Sequence, residues 1–291
     1  MTGGLSGGRL FVVATPIGNL GDVTLRALEI LRTVPLIAAE DTRITRRLLD
    51  RHAVVTRTIS YHARSGPGRS AELLEHLRRG ADLALVTDAG TPGVSDPGSE
   101  LVAAWAAEGG TVVPIPGASA LLAAVTASGI AGARWSFEGF LPRSGRERRD
   151  RIARVAADER GSVVYEAPSR VVATLRDLAA ACGPDRPAAV CRELTKLHEE
   201  IVRAPIGVLA SRAADGELTL RGEFAIVVGE QPGGAPASAA TEAAAAGALS
   251  AARADVERLV AEGTSRGDAA RRIGATTGIP RRRLYGAPED R

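Results

Sequence analysis

The chain has 291 residues, 45% apolar and 24% charged, with a formal net charge of +3. That balance can bury a core, which excludes intrinsic disorder as the main state. The longest apolar stretch, Ala118 to Ile130, is broken by Ser119, Thr126, Ser128 and Gly129 and falls short of the roughly 20 residues that a membrane helix needs.

The start, MTGGLSGGRL, has no apolar run ahead of a cleavage site, so a short lead (1–9) and a cytoplasmic protein are expected. From there, strand-like runs at Leu10–Ala14, Leu36–Ala39, Leu83–Thr87 and Val112–Ile115 alternate with helix-like runs. The latter are Thr24–Leu31, Arg43–Arg51, Ala71–Arg79, Ser99–Glu108 and Ser119–Ser128. Such alternation predicts an α/β domain over 10–130 with a largely parallel sheet covered by helices. Asp96-Pro97 and Ser119 read as helix starts, and Asp41 as a helix cap.

A second α/β domain is expected over 131–230. Its strands are predicted at Ser136–Phe140, Ser162–Tyr165, Ala188–Cys191 and Phe224–Val228, and its helices at Arg146–Ala157, Arg170–Ala181 and Ile206–Ala213. Residues 231–250, rich in Gly, Ala, Pro and Ser, read as a linker whose second half can extend the next helix. The remainder, 251–291, reads as a small helix-turn-helix-like module: Ala251–Glu262, a break at Gly263, a capping box at Ser265-x-x-Asp268 opening Arg266–Ile273, a turn through Thr276-Thr277-Gly278, and a last helix from Pro280. This module holds nine arginines against six acidic residues, so it carries the whole net charge and points to a polyanionic partner.

Cys182 and Cys191 make no disulfide framework, and His52, His62, His76 and His198 have no metal-ligand spacing, so no metal is expected. Of 37 basic residues only Lys196 is a lysine. Arginine stays charged, whereas a lysine's pKa moves readily on burial, so Lys196 is a candidate for chemistry that arginine cannot perform.

Three Gly/Pro-rich loops follow strands of the first domain: Thr15-Pro16-Ile17-Gly18-Asn19, the segment Asp88 to Gly98, and Pro116-Gly117-Ala118-Ser119. Strand C-termini are where parallel α/β sheets bind ligands, and glycine lets the backbone come close. Neither G-x-G-x-x-G nor G-x-x-x-x-G-K-[ST] is present, which argues against a nicotinamide dinucleotide and a P-loop nucleotide. The loops hold Asp88 and Asp96 and no basic residue, so a cationic or zwitterionic ligand fits them better than a phosphate.

In chain order, LFVVATPIGNLGDVTLRAL, AAEDTR, LVTDAGTPGVSDPG, PIPGAS, FEGFLPR, VVYEAPSR, RELTKLHEE and GEFAIVVG resemble the ribosomal RNA small-subunit methyltransferase I family of the tetrapyrrole methylase superfamily, over about Leu10 to Gly229. The Gly/Pro loops are common to the superfamily; AEDTR, YEAPSR and RELTK together are more specific. The tail resembles the family's helix-turn-helix extension.

The resemblance implies S-adenosylmethionine as methyl donor between two α/β domains, 2′-O-methylation of a cytidine in 16S ribosomal RNA near the decoding site, action on 16S rRNA or the 30S subunit, and a homodimer. It implies a donor site at Pro16, Asp88, Ala89, Gly90, Thr91, Val94, Ser119, Ala120, Tyr165, Glu166, Phe224 and Ala225. Lys196, with a lowered pKa, would activate or orient the hydroxyl, or else would only pair with a phosphate. Arg43, Arg170 and Arg192 would hold phosphates, Glu40 or Asp41 would orient these cations, and Arg143, Arg281, Arg282 and Arg283 would bind RNA. Phe140 and Tyr165 are candidate stacking platforms. Two other readings stay open: methylation of a tetrapyrrole or other small molecule, and nucleic-acid binding with an inactive body.

Overall fold

The computed structural model describes residues 7–231, 239–277, 279 and 281–284, apart from the side chains of 239–248 and 282. The chain forms two compact units, Met1–Gly234 and Ala235–Arg291. In the first unit, β1 (Leu10–Val13), β2 (Leu36–Ala39), β3 (Thr58–Ser60), β4 (Leu83–Val86) and β5 (Val112–Ile115) form a wholly parallel sheet in the order β3-β2-β4-β1-β5. Every residue of β2 and β4 is buried, as continuous apolar runs covered on both faces should be. Phe11 and Val13 face α1 (Leu25–Thr33) and α2 (Thr42–Arg51), with Leu31 and Leu49 in that core. Leu10, Leu83 and Leu85 face α3 (Pro67–Arg78) and α4 (Ser99–Ala107), with Leu77 and Trp105.

The second sheet runs β6-β7-β10-β8-β9, from β6 (Trp135–Phe140), β7 (Gly161–Glu166), β8 (Pro187–Arg192), β9 (Glu200–Pro205) and β10 (Phe224–Val228). Its β6–β7 pair is parallel and the others are antiparallel. One face packs on α6 (Gly145–Ala157), α7 (Val171–Cys182) and α8 (Ile206–Ala214). The other packs on α5 (Ala120–Ser128), where Ala124 meets Val163, Ala189, Ala225 and Val227. So α5, which sequence order groups with 10–130, covers the second sheet. Two edge strands, β3 and β9, have no counterpart in the sequence reading; β3 is only three residues long, and edge strands need little apolar patterning.

The second unit contains α9 (Ala239–Ala261), α10 (Arg266–Thr277) and α11 (Arg281–Leu284), packed around Ala252, Val256, Ala269, Ala270 and Leu284. The backbone N–H of Asp268 donates to Ser265 Oγ at 3.2 Å, and that hydroxyl reaches Asp268 Oδ2 at 2.7 Å, closing the start of α10. Helix α9 begins inside the segment read as linker. The first six residues, 232–238, Gly278, Pro280 and 285–291 lie outside the described residues, as does the Arg282 side chain. No described helix is long and apolar enough to cross a membrane.

Arg186 is 2% exposed and donates to three carbonyls: Nε to Gly229 O at 2.7 Å, and Nη2 to Asp158 O and Arg160 O at 3.0 and 3.1 Å. Arg186→Ala should lower stability by about 2–4 kcal/mol in urea unfolding, because it strands buried acceptors.

Candidate functional site

The three Gly/Pro-rich loops converge. Thr15 N donates to Gly90 O at 2.8 Å and Gly90 N to Thr15 O at 3.0 Å, while Thr15 Oγ1 donates to Thr87 O. A Cβ on Gly117 would lie 3.0 Å from that of Ala14, so the third loop lies directly on the first. In the long loop Gly90 and Gly93 have φ of +80° and +84°, which glycine adopts without strain. Opposite them stand the ends of β7, β10 and β8, in register at Tyr165, Ala225 and Cys191. Between the two sets lies a cavity of about 370 Å³.

Ala89, Gly90, Thr91, Val94, Ser119, Ala120, Tyr165, Glu166, Phe224 and Ala225 line it. Pro16 and Asp88 do not; Ile17 takes the place expected of Pro16. Asp88 instead ties two loops together. Its Oδ1 accepts from Asp41 N at 2.9 Å, and its N donates to Glu40 Oε2 at 3.3 Å. Ser119 caps α5, its Oγ accepting from Leu122 N.

The lining holds carboxylates and, among the described residues, no lysine or arginine. Asp96 is the important one missed as a ligand group. It is no helix cap, since Gly98 precedes α4 with no side-chain cap bond. Its carboxyl has no hydrogen-bond or ion-pair partner among the described residues and lines the cavity. Burial first, then the charges of Glu40, Asp88 and Glu223, push its pKa up to about 7. Burial also raises Glu40 and Asp88. The signal for Asp96 was in the sequence: an acidic residue in a ligand loop that no basic residue neutralises.

Phe140, 54% exposed, also lines the cavity, edge-on to Tyr165 at 5.7 Å between ring centroids. It stands there because β6 carries a bulge between Phe137 and Gly139, with Gly139 at φ +58°. Arg151 Nε donates to Glu138 Oε2 at 2.8 Å and holds the bulge from behind. Burial pushes the Tyr165 phenol up to about 12 and the Cys191 thiol up to about 11, so both stay neutral. Glu166 is buried, accepting from Thr174 Oγ1 at 2.6 Å and Ala167 N at 2.9 Å.

Lys196 lies at the rim. Its Nζ donates to Glu193 Oε1 and to Glu223 Oε2, each at 2.9 Å, and Glu223 lines the cavity. The stem crosses Gly18, where a Cβ would come 2.4 Å from Lys196 Cγ. Burial pulls the ammonium's pKa down, but the two carboxylates outweigh it and the net shift is upward. The expected lowering is therefore corrected: acidic partners that only the fold brings together hold the lysine protonated.

The arginines divide. Arg43 is exposed and paired with Asp41 at 2.6 Å, which holds that carboxyl below the usual range while Asp41 caps α2. Arg170 donates to Leu141 O and Pro142 O and pairs with Glu166 Oε1 at 3.2 Å; Arg192 is half-buried against Glu200 at 3.1 Å. Arg143 is exposed. Arg281 and Arg283 are exposed on the second unit. No group of three or more His, Cys, Asp or Glu among the described residues is placed to hold a metal ion.

This architecture is that of the tetrapyrrole methylases. The model of the tetrapyrrole (corrin/porphyrin) methylases matches residues 9–210. The fold is similar to cobalt precorrin-4 methyltransferase (TM-score 0.58, 16% identity, covering 76% of this chain and 94% of that one). It is also similar to uroporphyrin-III C-methyltransferase from Thermus thermophilus complexed with S-adenosylhomocysteine (TM-score 0.54, 21% identity, 77% and 98%). Within that class the resemblance in sequence is narrower. The chain is 45% identical over 279 residues to ribosomal RNA small subunit methyltransferase I of Synechocystis, with 96% of both chains covered. It is 42% identical to that of Xylella fastidiosa (96% and 98%) and 41% identical to that of Escherichia coli O157:H7 (77% and 78%). The chain belongs to the ribosomal RNA small subunit methyltransferase I family.

Because folding raises the Asp96 pKa, its contribution to stability is complete below the unfolded carboxyl pKa and is lost as pH rises through about 7. Asp96→Asn should therefore melt above the wild type at pH 8 and level with it at pH 4, measured by calorimetry without ligand.

Proposed function

We propose that this chain transfers the methyl group of S-adenosylmethionine to the 2′-hydroxyl of a cytidine in 16S ribosomal RNA near the decoding site, acting in the cytoplasm as a homodimer on the RNA or the 30S subunit. The observation that carries this reading is the Lys196 ammonium, bound to a carboxylate that itself lines the cavity. The cavity suits the donor. The Asp96 carboxyl, without a partner among the described residues, faces a space whose described lining is close backbone and no cation. When bound, the donor supplies a methyl group on a positively charged sulfur.

The residues of the chain then divide the work. Gly90, Thr91 and Ala225, which line the cavity, would hold the donor, and the Asp96 carboxyl would offset its positive charge. Phe140, edge-on to Tyr165, offers a face to an unstacked base of a single-stranded RNA segment. Lys196 stabilises the negative charge that develops on the attacking oxygen. It acts as a cation, since its raised pKa keeps it protonated at neutral pH. Glu223, the exposed carboxylate beside the ammonium, would take up the proton that the hydroxyl gives up on accepting the methyl group. Held in line, the reactants gain up to about 7–11 kcal/mol from positioning in favourable cases. Arg143, Arg281 and Arg283 are exposed and suited to phosphates; Arg282 completes that basic run in sequence.

The test is labelled methyl transfer to 30S particles, free 16S RNA and uroporphyrin. Lys196→Ala should lower transfer to RNA by about 10²–10³-fold, while Lys196→Arg stays within about tenfold of wild type at neutral pH. Donor affinity should be unchanged in both. Full activity of Lys196→Ala, label on the tetrapyrrole alone, or RNA binding without transfer would each overturn the reading.

A further inference from the structure

We propose that Glu193 is the positioning residue of this site: locked into the Gly222–Glu223 turn, it fixes where the Lys196 ammonium stands and leaves Glu223 as the partner that yields to substrate. The inference rests on the role given to Lys196 above. The two carboxylates touch the same nitrogen at the same distance, 2.9 Å, yet they are held very differently. Glu193 Oε1 also accepts from Glu223 N at 2.9 Å, and Glu193 N donates to Glu223 O at 2.9 Å. A Cβ on Gly222 would lie 2.3 Å from Glu193 Oε1, so the carboxylate is pressed against the turn that borders the cavity. The Glu193 side chain is 18% exposed and that of Glu223 is 72%. One acceptor is therefore built in, and the other is loose.

The loop itself is held in an uncommon shape. Glu193 and Thr195 have φ of +50° and +67°, a region that side chains avoid and a β-branched residue avoids most. Lys196 N donates to Glu193 O at 3.0 Å, and Thr195 N to Glu199 Oε2 at 2.7 Å. The Thr195 hydroxyl is buried without a hydrogen-bond partner among the described residues. Strained, over-determined backbone of this kind persists where placement matters. The stem of Lys196 is confined on its other side by Gly18, so the ammonium has one seat.

The charged groups around that seat are Glu193 and Glu223 on the ammonium, Arg192 acting on Glu193, Glu199 on the Thr195 backbone, and Asp96 coupled to Glu223. The bond to Lys196 holds the Glu193 carboxyl below its ordinary value, so it is ionised at neutral pH. Removing that charge must lower the Lys196 pKa and move the alkaline limb of the rate profile down.

The experiment is Glu193→Gln, which keeps an oxygen for Glu223 N and removes the charge. Because Lys196 is the chain's one lysine, isotope-labelled lysine gives a single side-chain signal whose titration needs no assignment. The expected result is a drop of about one pH unit in both that titration and the alkaline limb, a kcat lower by about tenfold, and an unchanged donor Kd by calorimetry. Glu193→Gln should add nothing in a Lys196→Ala background. Should Glu193→Gln not fold, Glu193→Asp serves. It keeps the charge but shortens the reach, so kcat should fall while the Lys196 titration stays high. Wild-type kcat in these variants, or an equal loss with and without Lys196, would overturn the proposal. An inactive Lys196→Ala beside a fully active Glu193→Gln would reject positioning while leaving the lysine's role intact. A fully active Lys196→Ala would reject that role itself.

Discussion

The seating of α5 on the second sheet is the contact on which the rest of this molecule depends. Ala124 is fully buried in that core, with Ala120, Leu121, Ala123 and Val125 packed beside it. Ile17 from the first loop joins the same core. That one packing event places the loops of the parallel sheet opposite the strand ends of the mixed sheet, and the space left between them is the cavity. The helix starts at its wall, with Ser119 and Ala120. Changes in α5 packing therefore act on the ligand space directly.

Charge is the second organising feature. Asp96, Glu40 and Asp88 gather on the loop side, and burial raises all three, with Arg43 offsetting the rise at Asp88 only in part. The one lysine stands at the rim, held by two separate oxygens on a single nitrogen. An arginine would present a planar fork in place of a point donor, and the bare Cα of Gly18 leaves room for a narrow alkyl stem only. The arginines meanwhile do what their fork suits: Arg186, Arg170 and Arg203 each bridge backbone carbonyls.

Much of this was legible in the sequence. The buried parallel strands announce themselves as apolar runs, and the three loops as Gly/Pro clusters at strand ends, so the architecture and the loop side of the cavity follow from local pattern, whereas Tyr165, Glu166, Phe224 and Ala225 came only from the family resemblance. Ser119 as a cap and Asp41 as a cap were equally local. What stayed hidden was non-local. The Lys196 pKa depends on Glu223, 27 residues away. Arg170 and Arg192 read as basic residues ready for phosphate, but the carbonyls of Leu141 and Pro142 that hold Arg170, and the Glu200 that pairs with Arg192 from β9, are brought in by the fold. Asp96 looks like a cap because Pro97 follows it; only the packing of the long loop turns it towards the cavity. The edge strand β9 alternates too weakly to stand out before β8 pairs with it.

That edge strand has a mechanical consequence. Arg203 of β9 donates to Ser128 O at 2.9 Å and also to Ala127 O, so a guanidinium on the outermost strand caps the C-terminal end of α5. Edge strands ordinarily fray first, as independent local openings. Here peeling β9 also uncaps the helix under the ligand cavity, so fraying at the periphery and loosening of the cavity floor become one cooperative step. Donor binding should therefore slow hydrogen exchange in a strand that the donor never touches.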